Sequence, residues 1–500
     1  MITTKSHKKY IDLVASNKKS ITFVRWFLKT YTMDKLIGRQ KEKDRLNLCY
    51  ESKQSEFVII SGRRRVGKTF LINNLYSKKF AFYYTGGHNL SNSEQLMMFA
   101  EKLKDYMKTP LKITLKNWFE AFLQLQNYLG SLPSKKKKVI FFDEMPWIDT
   151  HNSNFVKALE YFWNSWAAQR NDIMLIASGS ATSWMNDKLL ENQGGLHNRI
   201  TCQIFLEPFN LKETEEFLKS RKFLWDRYTI LQTYMVMGGI PFYLKLLQKQ
   251  FSLAQNIDEL FFSKNGILKM EFDELYSTLF TNSDKYISIV KSLSDKNSGL
   301  TRKEISQKTK IQGSTLTRML SNLEKCDFII GYQQTGKVTK DVIYRLCDFY
   351  TLFYFRFIEN RNYRDNDFWS KNINTPKINT WQGFTFELIC LTHLEQIKKA
   401  LGISGISTKS TSWRNNESQI DLVIERADRI INLCEIKFSI EKYQITKSYA
   451  EKLRDRMSSF KESTNTSITP INTFITTYGI KQTKHSSICQ NEITMNDLFS

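Results

Sequence analysis

Little in this sequence could staple it or ligate a transition metal. Seven cysteines (Cys49, Cys202, Cys326, Cys347, Cys390, Cys434, Cys489) lie scattered, no C-x-x-C pair occurs, and the six histidines do not cluster. That argues against a disulfide framework and against a zinc site, and it leaves the cysteines as small core residues. No apolar run approaches transmembrane length, and the N-terminus is polar and lysine-bearing, without the apolar stretch of a signal peptide. A cytoplasmic chain with no membrane span is expected. Internal repeats and low-complexity tracts are missing too, and Lys135–Lys138 reads as a solvated turn before a strand.

Acid is scarce relative to base. Against 73 Lys+Arg stand 50 Asp+Glu, a formal net charge of +23. Such an excess attracts polyanions, nucleic acid first and an anionic membrane surface second; a lysine-rich proteome gives soluble enzymes the same look. At 500 residues the chain is too long for one core, so two to four domains are expected. Residues 1–32 read as a basic N-terminal extension, with Met33 as the other candidate start.

From residue 33 to about 250, apolar runs alternate with helical patterns. "EFVIISG", "FAFYYTGG", "KKVIFFDE" and "DIMLIASGS" are strand-like, which argues for an α/β domain with a mainly parallel sheet. The first run leads into Gly62-x-x-x-x-Gly67-Lys68-Thr69 and then the helical "TFLINNLY", the context a P-loop needs. Glycines let successive backbone N–H groups surround phosphates, and the helix adds its positive end. Residues Gly62, Arg63, Arg64, Arg65, Val66, Gly67, Lys68, Thr69 and Phe70 therefore form the candidate nucleotide loop. Lys68 serves the β- and γ-phosphates, and the Thr69 hydroxyl serves Mg²⁺. "KKVIFFDE" ends in Asp143 and Glu144 at a strand tip, where ligands of open α/β sheets sit. Asp143 can hold Mg²⁺ through water, and Glu144 can polarise the attacking water. ATP and Mg²⁺ are the expected cofactors.

"LIGRQKE", "SGRRRVGKTFLI", "VIFFDEMPW", "IASGSATSWM", "LHNRI" and "GGIPFYL" follow one another in the order seen in the archaeal-type ATPases, a branch of the AAA+/STAND NTPases, and residues 33–350 resemble that family. The resemblance implies that Ile37, Gly38 and Arg39 lie near the adenine. It makes Ser180 the polar sensor of the γ-phosphate, with a simple turn cap as the other role open to it. It makes Arg199 an arginine finger, acting in cis or on a neighbouring copy of a homo-oligomer; a structural ion pair is the alternative. Gly238-Gly239-Ile240-Pro241 would stand in place of a sensor-2 region. Arg63, Arg64 and Arg65 either touch phosphate or point to solvent.

Residues 251–350 read as a helical connection followed by a winged helix-turn-helix. "RKEISQKT" is its first helix, Ile311-Gln312-Gly313 its turn, and "STLTRMLSNLEKC" a second helix capped by Ser314. Strands "FIIGYQ" and "DVIYRLC" flank a polar wing. For DNA contact the candidates are Ser314, Thr315, Thr317 and Arg318 on the second helix, with Lys337 and Lys340 in the wing. A packing or dimerisation module is the competing reading.

A linker is expected over 351–380 and a last α/β unit over 381–500. There "QIDLVIERADRIINLCEIKF" forms two strands joined at "RADR". Antiparallel pairing would bring Asp421 and Glu435 close together at the far end, with Lys437 sharing a strand face with Glu435. Two carboxylates at strand ends can hold Mg²⁺ or Mn²⁺, and a nearby lysine can act on water or offset phosphate charge. The pattern resembles the PD-(D/E)XK nuclease fold, in which Glu387 of "WQGFTFELICLTHL" would supply the helix glutamate. A nuclease-like unit of this kind is also implied by the resemblance to the archaeal-type ATPases. The whole is then expected to be an ATPase that couples ATP to DNA binding or metal-dependent cleavage, with Asp421 and Glu435 as metal ligands. The alternative is a nucleotide-switched scaffold with an inactive nuclease-like interaction domain.

Overall fold

Four of the apolar runs become strands of one sheet, as expected, and a fifth strand joins them. The computed structural model describes residues 35–500 apart from 111, 134–135, 181, 191–195, 197, 281, 334–341, 360–364 and 416. The extension 1–32, Met33, Lys337 and Lys340 lie outside the described residues. Helix α1 (Gln40–Glu51) leads into β1 (Glu56–Ser61), and α2 (Lys68–Tyr76) follows it; β2 (Phe80–Thr85), β3 (Lys138–Asp143), β4 (Ile173–Ser178) and β5 (Cys202–Phe205) complete the sheet. All pairs are parallel, in the order β2-β3-β4-β1-β5. Strands β1, β3 and β4 are buried from end to end, which is why they read as unbroken apolar runs. One face (Phe57, Ile59, Ile140, Phe142) packs on Trp118, Phe122 and Phe155. The other (Val58, Ile60, Phe141, Ile176) packs on Leu71 and Ile72 of α2.

Beyond the helix α3 (Leu211–Ser220), the chain continues through α4 (Ile267–Leu279) and α5 (Ser283–Ser294), then β6 (Leu300–Thr301), α6 (Arg302–Thr309), α7 (Gly313–Lys325), β7 (Ile329–Tyr332) and β8 (Ile343–Leu346). The three strands pair antiparallel in the order β6-β8-β7. One expectation is corrected: α7 starts at Gly313, not after a Ser314 cap. Gly313 takes a positive φ of 63° and turns the chain into the helix one residue early, so the cap position falls on Gln312, which gives no side-chain cap.

The expected linker over 351–380 is also corrected. It holds α8 (Phe349–Phe357), α9 (Phe368–Asn372) and the first turn of α10 (Pro376–Thr392). Its aromatic residues, which look like the content of a polar link in sequence, are buried together: Phe353, Phe357, Trp369 and Trp381 pack mostly edge to face, with Trp369 and Trp381 centroids 5.8 Å apart. After α10 come β9 (Thr408–Arg414), β10 (Gln419–Arg426), β11 (Ile430–Lys437), α11 (Lys447–Thr464), β12 (Thr469–Thr476) and β13 (Asn491–Thr494). They form a mixed sheet in the order β13-β12-β11-β10-β9, antiparallel through β9-β10-β11 and parallel through β11-β12-β13. One apolar core runs without a break from Val58 and Ile60 of the first sheet, through α4 and α8, to Leu422, Cys434 and Ile475 of the last. Among the described residues no helix is long and apolar enough to cross a membrane.

Candidate functional site

The loop between β1 and α2 can exist only with glycine at two points. Gly62 has φ 139°, and a Cβ there would stand 2.4 Å from the Leu206 carbonyl; Gly67, with φ 97°, turns the chain into α2. The first N–H groups of α2 lack intrahelical partners and face an anion site by default. Lys68 opens that helix and is buried, its Nζ donating to the carbonyls of Gly62 at 2.8 Å and Arg63 at 3.1 Å. Burial pushes its pKa down, against the pull of Glu144 and Asp143. Val66 is buried, while Phe70 is 40% exposed.

Asp143 ends β3 beside β4, and three hydroxyls converge on its carboxylate. Thr69 Oγ1 donates at 2.9–3.0 Å, Tyr83 at 3.4 Å, and Ser178 from the tip of β4 makes a short contact. Burial raises the Asp143 pKa, and the Ser178 and Thr69 hydrogen bonds work against that rise. The clustered oxygens of Thr69 and Asp143 are the hard donor set that suits Mg²⁺. Glu144 sits in the left-handed region at φ 48° and accepts from Ser180 N at 3.1 Å and Ser180 Oγ at 2.9 Å. Ser180 thus orients Glu144 in addition to lying at the end of the fourth strand. The sequence reading missed Tyr83 and Ser178; only the parallel order of the strands brings them to Asp143.

Arg39 follows Gly38 and reaches the loop directly: its Nη2 donates to Val66 O at 3.3 Å, while its backbone N–H donates to Glu213 of α3 at 2.9 Å. The three loop arginines go elsewhere. Arg63 forms a buried ion pair with Asp348, Arg64 donates to Thr278 at 2.7 Å, and Arg65 makes two hydrogen bonds to Glu271 at 2.7 and 2.9 Å. Their guanidinium groups therefore tie the loop to α4 and to the start of α8, and neither phosphate contact nor free solvent describes them. Arg199 is exposed before β5, and its side chain joins no partner in this group among the described residues.

In the last unit Leu422 of β10 lies opposite Cys434 of β11, the register that the expected pairing of Asp421 with Glu435 needs. A bulge in β10 between Ile420 and Val423 breaks the simple alternation. Asp421 comes within hydrogen-bonding reach of Glu387 on α10, and Glu387 is paired with Arg345 of β8 at 2.6 Å. Glu435 turns instead to α11, where Arg456 donates at 2.6 Å and Tyr449 makes a short contact; Lys437 adds an ion pair at 2.7 Å. Burial alone would raise Glu435, but Arg456, Lys437 and Tyr449 hold it below the ordinary value. Among the described residues no group of three His, Cys, Asp or Glu side chains is placed to hold a metal. Asp421 is accompanied by Glu387 and Arg345, and Glu435 by Arg456, Tyr449 and Lys437. Arg345, Tyr449 and Arg456 had no local sequence signal.

The Glu387 carboxyl is pushed up to about 7, chiefly by burial, with Asp421 adding to the rise and Arg345 opposing it. A carboxyl with a folded value above its ordinary 4.5 holds its proton more tightly when native. Its contribution to stability is therefore complete below about pH 4.5 and is lost as the pH climbs toward about 7. Unfolding free energies from denaturant titrations at pH 5 to 7.5 are expected to fall in the wild type by up to ~2 kcal/mol relative to Glu387→Gln. Parallel profiles would show that this carboxyl titrates normally.

Comparison with known proteins agrees with the phosphate-loop geometry. Residues 36–247 match the model of an ATPase domain found predominantly in Archaea, and residues 354–449 match a family described as archaeal and bacterial proteins of unknown function. An uncharacterised protein of Methanocaldococcus jannaschii is 26% identical over 395 residues, covering 77% of this chain and 83% of its own. Among solved structures, a Walker-type ATPase of Pyrococcus abyssi is similar at 17% identity and TM-score 0.46, over 64% of this chain and 96% of that one. The Aeropyrum pernix ORC2 protein, solved with ADPNP and ADP, is similar at 13% identity and TM-score 0.42, over 65% and 94%. The chain thus carries an archaeal-type P-loop ATPase domain over residues 36–247 and, over 354–449, a segment of a family of unknown function.

Proposed function

We propose that this protein binds and hydrolyses ATP with Mg²⁺ and uses the nucleotide to control its hold on nucleic acid. The observation that carries the first half is the assembly of Lys68, Thr69, Asp143, Glu144 and Ser180 at the tips of β1, β3 and β4. Lys68 and the N–H groups of the loop and α2 bind phosphates; Thr69 and Asp143 would hold Mg²⁺, which offsets phosphate charge when bound. Glu144, held by Ser180, accepts a hydrogen bond from the attacking water and orients it. Arg39 and Gly38 close the nucleoside side, and Arg199, exposed at the domain surface, is the finger offered to a second copy. Expected for Glu144→Gln is ATP affinity close to wild type with phosphate release slower by roughly 10²-fold or more; equal turnover would remove Glu144 from this role.

For the second half, the α5-β6-α6-α7-β7-β8 order is that of a winged helix, and Ser314, Thr317 and Arg318 are exposed on α7. The mixed sheet of residues 408–494, with α10 before it and α11 between β11 and β12, has the order of a PD-(D/E)XK unit. With +23 of net charge, binding to duplex or single-stranded DNA is expected to be tight at 50 mM salt and far weaker at 200 mM. Lys437 against Glu435 and Glu387 beside Asp421 support the cleavage reading for this unit, while Arg456 and Tyr449 on Glu435 support binding without cutting. Plasmid and single-strand incubations in Mg²⁺ and Mn²⁺, with Lys437→Ala alongside, decide this. Cleavage lost in Lys437→Ala would establish a nuclease, and an intact substrate throughout would establish a binder. No association with DNA at low salt would leave the ATPase half and sink the nucleic-acid half.

A further inference from the structure

Two buried arginines meet the same short segment of chain. Asp348 takes Arg63 of the phosphate loop, and Arg345, three residues earlier, takes Glu387 beside Asp421. Arg63 is 1% exposed and Arg345 3%. Both are under-satisfied: among the described residues, Nε and Nη2 of Arg63 and Nε of Arg345 make no hydrogen bond. Buried N–H groups left without partners are costly and call for a reason.

The segment between them is stiff. Arg345 pairs with Ile330 in the β7-β8 ladder, and the N–H groups of Cys347 and Asp348 both donate to Phe328 O, at 2.8 and 3.3 Å. Asp348 also caps α8, accepting from Thr351 N at 3.0 Å. Three residue steps span at most ~10 Å of chain, so a shift at Asp348 is delivered to Arg345 with little slack. Among the described residues one continuous core joins the first sheet to the last.

We infer that residues 345–348 are a coupling strap between the phosphate loop and the C-terminal carboxylates. Asp348 holds Arg63, and with it the loop arrangement in which Lys68 bonds the carbonyls of Gly62 and Arg63; Arg345 holds Glu387. A triphosphate that draws Lys68 off the carbonyls of Gly62 and Arg63 lets the loop rearrange at Arg63, which relaxes the Asp348 end and loosens Arg345 from Glu387. The coupling rests on the proposed ATP site and specifies how that site is regulated. Linkage makes it reciprocal: releasing Arg345 from Glu387 must change the affinity for ATP, although neither residue touches the loop.

The test uses the full-length chain and a fluorescent ATP analogue with Mg²⁺. Arg345→Gln is expected to bind at least about fivefold more tightly than wild type, because the strap no longer holds the loop closed on itself, and Glu387→Gln is expected to act in the same direction. Hydrogen–deuterium exchange supplies the second readout: ATP raises exchange in Pro376–Thr392 of the wild type and has no such effect in Arg345→Gln. Should Arg345→Gln fail to fold, the isosteric Glu387→Gln carries the test. Variants that bind as wild type does, or more weakly, together with exchange indifferent to ATP, overturn the coupling and leave the ATP site standing. A wild type that takes up no ATP overturns the ATP site itself, and the coupling with it.

Discussion

Lys68→Ala is expected to weaken ATP binding by roughly 10- to 100-fold, the worth of a charge-assisted hydrogen bond to phosphate, and to cut phosphate release on the order of 10³-fold. The lysine is buried at the head of α2, and its only hydrogen bonds in the loop are to the carbonyls of Gly62 and Arg63. Nothing else in the loop can take its place, because the neighbouring arginines are bound to α4 and Asp348. The fold should survive, since the desolvation cost relieved by removing a buried cation offsets the two hydrogen bonds lost. Lys68→Arg is expected to fail too, because a planar fork does not reproduce a point charge in that space. Calorimetric titration with ATP and Mg²⁺, beside a melting curve, checks both halves. Undiminished affinity in a folded Lys68→Ala would remove the loop from nucleotide binding.

Asp348→Ala is expected to destabilise the native state by about 3–5 kcal/mol, the usual result of stripping one partner from a buried ion pair. Arg63 would keep its charge with no counter-ion, and two of its nitrogens already make no hydrogen bond among the described residues. The loss of the α8 cap adds to the damage. Replacing both ends, Arg63→Met with Asp348→Leu, should recover much of that loss, because the desolvation of both charges disappears together. Urea unfolding of the two single variants and the double variant measures the pair energy. A change below about 1 kcal/mol in Asp348→Ala would mean that water reaches Arg63, contrary to its 1% exposure.

The parts of this protein legible in its sequence are those with a local cause. Buried parallel strands need apolar runs, so β1 to β4 stand out; a phosphate loop needs glycine where φ is positive, so Gly62 and Gly67 do as well. Asp143 and Glu144 could be placed because a strand tip ends an apolar run. Strand β5, only four residues with an exposed Gln203 between buried neighbours, carried too little pattern to be seen. The helices Phe349–Phe357 and Phe368–Asn372 were hidden because a polar, aromatic-rich segment looks the same whether its rings face water or each other.

Only the tertiary structure decided which charges meet. Arg63 and Asp348 lie 285 positions apart, and no spacing rule links them. Asp421 and Glu435 read as one site because simple alternation puts them opposite one another, and the β10-β11 register, with Leu422 opposite Cys434, runs toward that pair; only the fold brings Glu387 and Arg345 to Asp421, and Arg456 and Tyr449 of α11 to Glu435. Periodicity and glycine placement follow from the backbone within a few residues and are written in the sequence. The partner of a buried charge is set by which helix the packed core lays over it, and that becomes definite only when the whole chain has folded.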